Sequence, residues 1–120
     1  MAAPNVVNTT TITGETDVVA LSTTSATTIT ANAASSGKVY KVNTVIVSNV
    51  DGTNAADISI SLQRSATDYY VARTVSVAAD SSLIVISRET PIYLEEGDTL
   101  RAQASAGGDL EVVCSYEVIS

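Results

Sequence analysis

Apolar and polar residues alternate along most of the chain with a period of two, which is the period of a β-strand with two different faces. From residue 38 onward, turn sequences interrupt this alternation at intervals of about 8–12 residues. The strands predicted in this part are Lys38–Val50, Asp57–Ser65, Tyr69–Val77, Ser82–Ser87, Pro91–Leu94, Thr99–Ser105 and Leu110–Ile119. No segment combines apolar residues at helical spacing with a capping residue, so we expect no substantial helix.

The longest predicted strand, Lys38–Val50, carries apolar residues on both of its faces. Strict alternation assigns Tyr40, Val42 and Ile46 to one face and Val45 and Val47 to the other. A strand that is apolar on both faces is typical of a central strand covered from both sides. We therefore expect this strand in the middle of a sheet, with protein packed against each face.

Thr and Ser dominate the first part of the chain, where only isolated apolar residues such as Ile12, Leu21 and Ile29 interrupt them. Thr tolerates a half-solvated sheet face, so this composition favours short edge strands over a low-complexity linker. We therefore interpret residues 1–32 as an N-terminal arm with edge strands and residues 33–120 as a β-sandwich core, within a single domain overall.

Eight or nine antiparallel strands with regular turns are typical of a β-sandwich, and the sequence leaves jelly-roll and immunoglobulin-like arrangements open. The composition supports this all-β prediction. Val, Ile and Thr are abundant, Phe, Trp and His are absent, and every aromatic residue is Tyr. β-Branched side chains are stiff and pack well on a pleated sheet, and a hydrophobic content of 45% is enough for a packed core.

The charge pattern excludes several classes of partner. The 120 residues contain 13 acidic and 6 basic residues, a net charge of −7, and the bases are dispersed along the chain. Nucleic acid requires clustered Lys and Arg, so we expect no nucleic-acid partner. No run approaches the 18 apolar residues of a membrane span. The N-terminus lacks the basic and apolar regions of a secretory signal, which predicts that the start is mature structure made in a cytoplasm.

The sequence offers no catalytic constellation. Without His, neither a Ser–His nor a Cys–His nucleophile can form. Cys114 is the single cysteine, so it forms no intramolecular disulfide, and its alternation with Val112 and Tyr116 predicts a small buried hydrophobe. We therefore expect neither an enzyme nor a cofactor, and no zinc site.

Calcium is the one metal to consider, because two turns are rich in oxygen ligands. These turns are Asp51–Asn54 and Glu95–Asp98. Neither has the spaced acidic ligands and closing bidentate Glu of a calcium loop, and Asp, Asn and Gly are ordinary turn formers. We interpret both as solvated turns without metal, and leave open a site completed across a subunit boundary.

The order of several segments resembles small virion structural proteins of tailed bacteriophages, especially of marine myoviruses that infect cyanobacteria. The segments that carry the resemblance are Ala33–Asn43, Val47–Ile58, Pro91–Leu100 and Leu110–Glu117. A strand ends in an Asn-x-Asp turn, and a Gly-Asp turn precedes the last two strands. The resemblance covers roughly residues 33–120 and brings no catalytic residue with it.

This resemblance implies a β-sandwich that occupies the particle in many copies, and a capsid decoration or cement protein is the first hypothesis. It implies a location on the virion, synthesis in the host cytoplasm, homo-oligomers within the particle, and the major capsid protein or other virion proteins as partners. A tail, neck or fibre adaptor of the virion and a glycan-binding host-attachment module remain the alternatives.

The N-terminal arm is the predicted contact with a neighbour, because its low apolar content cannot build a core alone but can add a strand to another sheet. The adjacent pair Tyr69 and Tyr70 must point to opposite faces of a strand, which predicts one in the core and the other at an interface. The predicted interface residues are Asn5, Thr9, Thr11, Thr13, Thr28, Thr30 and Tyr70.

Overall fold

The computed structural model describes residues 7–120, and every regular element in this range is a β-strand. The nine strands of this range are β1 (Ile12–Leu21), β2 (Thr27–Ala31), β3 (Val39–Asn49), β4 (Ala56–Arg64), β5 (Thr67–Val77), β6 (Ser82–Ile86), β7 (Ile92–Leu94), β8 (Thr99–Ala104) and β9 (Leu110–Ile119). Sheet I has the order β1-β9-β3-β6, with β7 also paired to β3, and sheet II has the order β2-β8-β4-β5. The predicted all-β antiparallel sandwich is confirmed. Within the described range, no helix is long and apolar enough to cross a membrane.

The strands pair in a nested order. β1 pairs with β9, β2 with β8, β3 with β6 and β7, and β4 with β5, all antiparallel. The chain therefore forms one long two-stranded ribbon. The half from β5 onward turns back after β4 and runs antiparallel to the half that ends with β4. Successive pairs lie alternately in sheet I and sheet II. The β3–β9 pairing joins the pairs within sheet I, and the β4–β8 pairing joins those within sheet II. A ribbon wrapped in this way is a jelly roll, so the immunoglobulin-like alternative is excluded.

The core lies between the two sheets and is aliphatic. The largest fully buried hydrophobic side chains are Leu21, Ile58, Ile60, Ile86, Leu94, Leu100 and Leu110. Stiff β-branched and Leu side chains fill the space that bulkier aromatic residues occupy in other sandwiches. Tyr116 extends this core at one end, where its ring stacks on that of Tyr40 at a centroid distance of 5.3 Å.

The first two strands occupy the edge positions predicted for them, because β1 ends sheet I and β2 ends sheet II. β1 is long rather than short, and it pairs with β9 from Ile12 to Leu21. Leu21 and Ile29 are members of the core cluster. The division into an arm of residues 1–32 and a core of residues 33–120 stays a prediction, and residues 12–31 lie within the sandwich.

The faces predicted for β3 were wrong, because a bulge interrupts its alternation. The register with β9 shifts between Val42 and Thr44. The extra residue, Asn43, brings Val42 and Val45 onto the same face, toward sheet II, where both are fully buried. β3 is an interior strand as predicted, but its apolar side chains concentrate on one face, and Ile46 lies on the other.

The prediction that one residue of the Tyr69–Tyr70 pair lies in the core was also wrong. Both side chains are exposed, Tyr69 by 60% and Tyr70 by 46%. β5 is an edge strand, and its pairing with β4 contains register shifts near Ile60. At the β4–β5 hairpin end, the sheets therefore leave the inward-facing side chain of Tyr69 largely uncovered.

Candidate interaction surfaces

Of the predicted interface residues in the described part of the first third, Thr13, Thr28 and Thr30 lie on the edge strands β1 and β2, and Thr9 and Thr11 precede β1. Thr11, Thr13 and Thr28 are exposed, and Thr9 is half-buried. The backbone of Thr11 pairs with Ser120, whose amide donates to the Thr11 carbonyl at 2.9 Å. Asn5 lies outside the described residues. The contacts of these residues with a neighbour stay a prediction.

Thr30 differs from the other predicted interface residues because it is only 3% exposed. A register shift in β2 between Thr28 and Thr30 turns its side chain inward. There its hydroxyl donates to Asp17 Oδ2 at 2.8 Å. In this subunit, Thr30 therefore presents almost no side-chain surface to a neighbour.

The inward-facing side of β1 carries acidic residues where an interior strand would carry apolar ones. Glu15 pairs in register with Tyr116, whose hydroxyl donates to Glu15 Oε1 at 3.3 Å, and Asp17 pairs with Cys114. Burial and the two carboxylates raise the pKa of the Tyr116 hydroxyl. Inward-pointing charges on an edge strand discourage the addition of another strand. The free edge of β1 is thus poorly suited to pairing with a second sheet.

The β4–β5 hairpin end carries a shallow apolar groove, which we call the tyrosine groove. Its cavity volume is about 380 Å³, and it is lined by Leu62, Arg64, Tyr69, Tyr70, Val71 and Ile92. The Arg73 guanidinium lies 4.9 Å above the ring of Tyr70, a cation–π contact that holds this exposed ring in place. Tyr70 is a predicted interface residue, but the groove itself could not be predicted, because its lining comes from the three strands β4, β5 and β7.

Four β-branched side chains form a row across the outer face of sheet I, the face turned away from sheet II. The strand register places Val18 opposite Val113, Val113 opposite Ile46, and Ile46 opposite Ile84. Val18 is 72% exposed, Ile84 63% and Val113 38%, whereas Ile46 is half-buried. We call these four residues the apolar row. The alternation along each strand does not reveal this row, because only the strand order brings the four residues together.

The carboxylates of the turn before β8 are engaged in contacts within the subunit. Asp98 is 1% exposed and accepts hydrogen bonds from Arg64 and from the Glu95 amide. Glu95 accepts from the same Arg64, and Glu96 accepts from the Gly37 amide at 2.9 Å. Among residues 7–120, no three His, Cys, Asp or Glu side chains are grouped to hold a metal ion. The acidic residues of this turn therefore stabilise the fold of the subunit through these contacts.

Cys114 is fully buried in the core, as predicted from its alternation with apolar neighbours. Burial raises the pKa of its thiol to about 11, although a hydrogen bond with Thr30 acts in the opposite direction. The thiolate is the reactive form of cysteine, so this side chain is unreactive in the folded protein.

No protein-family model matches the chain, and no curated protein matches its sequence. Among the solved structures that share its fold are two from protein assemblies. One is a chain from the acid-stable capsid of Helicobacter pylori bacteriophage KHP30, with 9% identity and a TM-score of 0.58 over 94% of this chain and 90% of that chain. The other comes from Bacillus endospore appendages, a family of disulfide-linked pili, with 20% identity and a TM-score of 0.51 over 92% of this chain and 88% of that one.

At these identities, the two likenesses establish the fold alone. Both neighbours are parts of protein assemblies, a phage capsid and a pilus. The pili are linked by disulfides, whereas the single cysteine of this chain is buried between the sheets. An intersubunit disulfide through Cys114 is therefore incompatible with the folded subunit.

Proposed function

We propose that this chain is a non-enzymatic structural protein of a tailed-phage virion and that it decorates the assembled capsid as a cement protein. The observation that carries the proposal is the jelly-roll sandwich, which a chain of a phage capsid shares over 94% of this sequence. The resemblance of residues 33–120 to virion proteins of marine cyanobacterial myoviruses supports the same assignment. The proposed partner is the major capsid protein, on the outside of the head.

A cement protein acts by binding the assembled shell and not the free capsid subunits. Such binding shifts the equilibrium away from disassembly by mass action. Each contact can be weak, because many copies act on one shell and contacts that bridge neighbouring subunits reinforce one another. A small, rigid sandwich without catalytic groups is sufficient for this task.

The tyrosine groove is the surface proposed to contact the capsid. Tyr is enriched at protein interfaces, because its large ring buries area while its hydroxyl still finds a hydrogen-bond partner. Tyr69, Tyr70 and Val71 are all exposed on one strand and border a concave surface. The residues before β1 are proposed as a second contact, because this segment carries the predicted interface residues Asn5, Thr9 and Thr11.

The glycan-binding alternative is less well supported by the geometry of the same groove. A sugar platform needs a free aromatic face, and the Arg73 guanidinium already covers one face of the Tyr70 ring. A screen of immobilised glycans with the purified protein tests this alternative directly. Binding that is lost in a Tyr69→Ala variant would replace the cement function with host attachment.

A cryo-EM reconstruction of the particle that contains this protein tests the proposed function. We expect density for the sandwich on the capsid exterior at junctions between capsid subunits, with the tyrosine groove turned toward the shell. Density confined to the tail, neck or fibres would keep the virion assignment but overturn the cement mechanism. Absence of the chain from the particle would overturn both.

A further inference from the structure

β1 is attached to the sandwich mainly through its backbone. All 10 of its residues pair with β9, from Ile12 with Ile119 to Leu21 with Leu110, without a register shift. Only two of its side chains reach the core, Leu21 as a member of the core cluster and Val19 packed against it. Both lie at the end of the strand that leads into β2. A ladder of backbone hydrogen bonds can form equally well with the same strand of another copy.

The rest of the inward-facing side of β1 is polar, whereas the strand that it covers is apolar. Glu15 is exposed, and the Asp17 carboxylate accepts a hydrogen bond from the Thr30 hydroxyl. Beneath them, Cys114 and Tyr116 of β9 are 0% and 6% exposed. Release of β1 would return two carboxylates to water, but it would uncover buried side chains of β9. β9 therefore needs a strand at this edge, and that strand can come from a second copy.

The connection from β1 to β2 can act as a hinge. Residues 22–26, all within the described range, contain neither Gly nor Pro, and none of them has a positive φ. Thr favours extended backbone, and an extended segment of this length spans up to about 17 Å. In the subunit the connection is held by local contacts, in which Gln103 Nε2 donates to the Thr24 carbonyl at 3.0 Å and the Ser22 amide donates to the Ala20 carbonyl at 3.1 Å. Opening the hinge costs contacts of this kind, whereas the ladder with β9 can form again.

The free edges of both sheets are protected against the addition of a further strand. β1 carries inward-facing carboxylates, and the pairings of β2, β5 and β6 each contain a register shift. β7 has only 3 residues. Inward charges, bulges and short strands keep a sheet edge from pairing with another chain. A second copy can therefore replace a strand more readily than it can extend a sheet.

We propose that β1 is exchanged between two copies of this chain. β1 of each copy leaves its own sandwich and pairs with β9 of the other copy, in the register that it has within the subunit. The contacts of Leu21 with the core and of Glu15 with Tyr116 are then made between copies. Because these contacts are unchanged, the exchange costs little beyond the hinge contacts and the entropy of association. A reciprocal exchange of this kind closes as a dimer.

The exchange concerns the isolated chain and does not require a capsid. On a capsid it would join neighbouring copies through complete β1–β9 ladders, and this consequence rests on the proposed function. The high local concentration of copies on one shell favours it.

A disulfide between β1 and β9 reports which copy supplies the strand. Thr16 and Ser115 are paired in register with their hydroxyl oxygens 3.3 Å apart, so Thr16→Cys with Ser115→Cys places two thiols within bonding reach. The full chain with both substitutions is equilibrated in urea just below its unfolding transition, which allows β1 to open. It is then returned to buffer, where Cys114 is buried, and oxidised. We expect the fraction of disulfide-linked dimers to rise about fivefold or more between about 50 μM and about 500 μM protein.

Mixing isotope-labelled and unlabelled chains identifies the linkage by mass spectrometry. Exchange predicts disulfides that join Thr16→Cys of one copy to Ser115→Cys of the other. Linkage only within single chains at every concentration would overturn the proposal. Dimers linked through Thr16→Cys of both copies would also overturn it, because they would come from contact between surfaces.

The matched control is Ser48→Cys with Ser82→Cys. The hydroxyl oxygens of Ser48 and Ser82 lie 3.0 Å apart in the pairing of β3 with β6. β6 is joined to other strands at both of its ends, so this pair should link only within one chain. As many linked dimers from the control as from the first pair would overturn the proposal.

A disulfide that holds β1 in place separates exchange from contact between surfaces. The disulfide-linked monomer of Thr16→Cys with Ser115→Cys should stay monomeric in sedimentation equilibrium at about 500 μM. Reduction followed by the same equilibration in urea should restore the dimer. Dimerisation of the linked monomer to the same extent as the reduced chain would overturn the proposal. These measurements use the isolated chain, so their failure leaves the proposed virion function untouched.

Discussion

Arg64 and Asp98 form a two-pronged ion pair at one end of sheet II. Arg64 Nε donates to Asp98 Oδ1 at 2.8 Å, and Arg64 Nη2 donates to Asp98 Oδ2 at 2.6 Å. Asp98 is 1% exposed, whereas the Arg64 side chain is 47% exposed. The pair joins the last residue of β4 to the turn that precedes β8. It therefore fixes the start of a strand that is central to the sheet.

Asp98→Asn should lower the free energy of unfolding at neutral pH. Loss of one partner of a buried pair costs about 3–5 kcal/mol, and the exposure of Arg64 reduces the expected loss to about 2 kcal/mol. Urea unfolding followed by circular dichroism measures this difference. The matched control is Glu95→Gln, since Glu95 contacts the same guanidinium but its side chain is 63% exposed. The control should lose less than about 1 kcal/mol.

The effect of Asp98→Asn should also depend on pH. Burial raises the pKa of the Asp98 carboxyl, but the hydrogen bond from Arg64, the Glu95 amide and the Arg64 charge together outweigh it, and the net pKa is lowered from its ordinary value of 3.8. The stabilisation is present above 3.8 and is lost as the pH falls through the lower folded-state pKa. The difference between wild type and variant should therefore close in acid. If the difference in the free energy of unfolding between wild type and Asp98→Asn stays constant through this acid range, Asp98 is not the ionised partner of Arg64.

Two buried asparagines hold the loops at opposite ends of the sandwich. Asn32 Nδ2 donates to the carbonyls of Lys38 and Leu94, and Asn49 Nδ2 donates to those of Asn54 and Val77. Asn49→Asp keeps the shape of the side chain but replaces its amide donor with a carboxylate oxygen. The carbonyls of Asn54 and Val77 then lose their hydrogen bonds and face a carboxylate. We expect a loss of about 2–3 kcal/mol in the free energy of unfolding. Exposed Asn8→Asp, the control, should change it by less than about 0.5 kcal/mol.

Cys114 should resist alkylation in the native protein. Its thiol is fully buried and its pKa is raised to about 11, so reaction requires opening of the sandwich. We expect labelling at neutral pH to be slower than in the urea-unfolded chain by about a thousandfold or more. Mass spectrometry after timed exposure to iodoacetamide measures the ratio. If Cys114 is alkylated as fast in the native protein as in the unfolded chain, then β1 and β9 separate freely.

Substitution in the tyrosine groove should affect capsid binding without affecting the fold. Tyr69 and Tyr70 are both exposed, so their replacement by Ala leaves no cavity in the core. We expect each variant to bind particles stripped of this protein about tenfold more weakly, with an unchanged melting temperature. Val18→Lys is the matched surface control, because it lies on the other sheet. Undiminished binding of the Tyr69→Ala, Tyr70→Ala double variant would exclude the groove as the capsid contact.

Truncation distinguishes the residues before β1 from β1 itself. Removal of residues 1–6 keeps Val7 and the backbone pairing of Thr10 and Thr11 with Ser120, so the chain should stay folded while particle binding falls. Removal of residues 1–21 also deletes β1 and uncovers the side of β9 that β1 pairs with, and this chain should not fold stably. Full particle binding by the shorter truncation would contradict the contact proposed for these residues.

The strands after residue 38 could be predicted closely, because Val and Ile alternation and turn residues are local signals. Leu110–Ile119 has the predicted bounds, and most other strand ends lie within a residue or two of the prediction. The bulge at Asn43 could not be predicted, since an extra residue in a strand shows only when its partner strand is known. The same limitation applies to the apolar row and the tyrosine groove. Both depend on strand order, which composition and periodicity leave open.

The nested pairing also determines the order in which the protein can be completed. β1 is made on the ribosome well before its partner β9, because Ile12 pairs with Ile119. Contacts between residues so distant in sequence form late and slow the search for the native state. Until β9 has been made, Val19 and Leu21 lack the strand that holds them against the core. The sandwich is therefore expected to close only after β9 has left the ribosome, with the newly made chain exposed to aggregation in that interval.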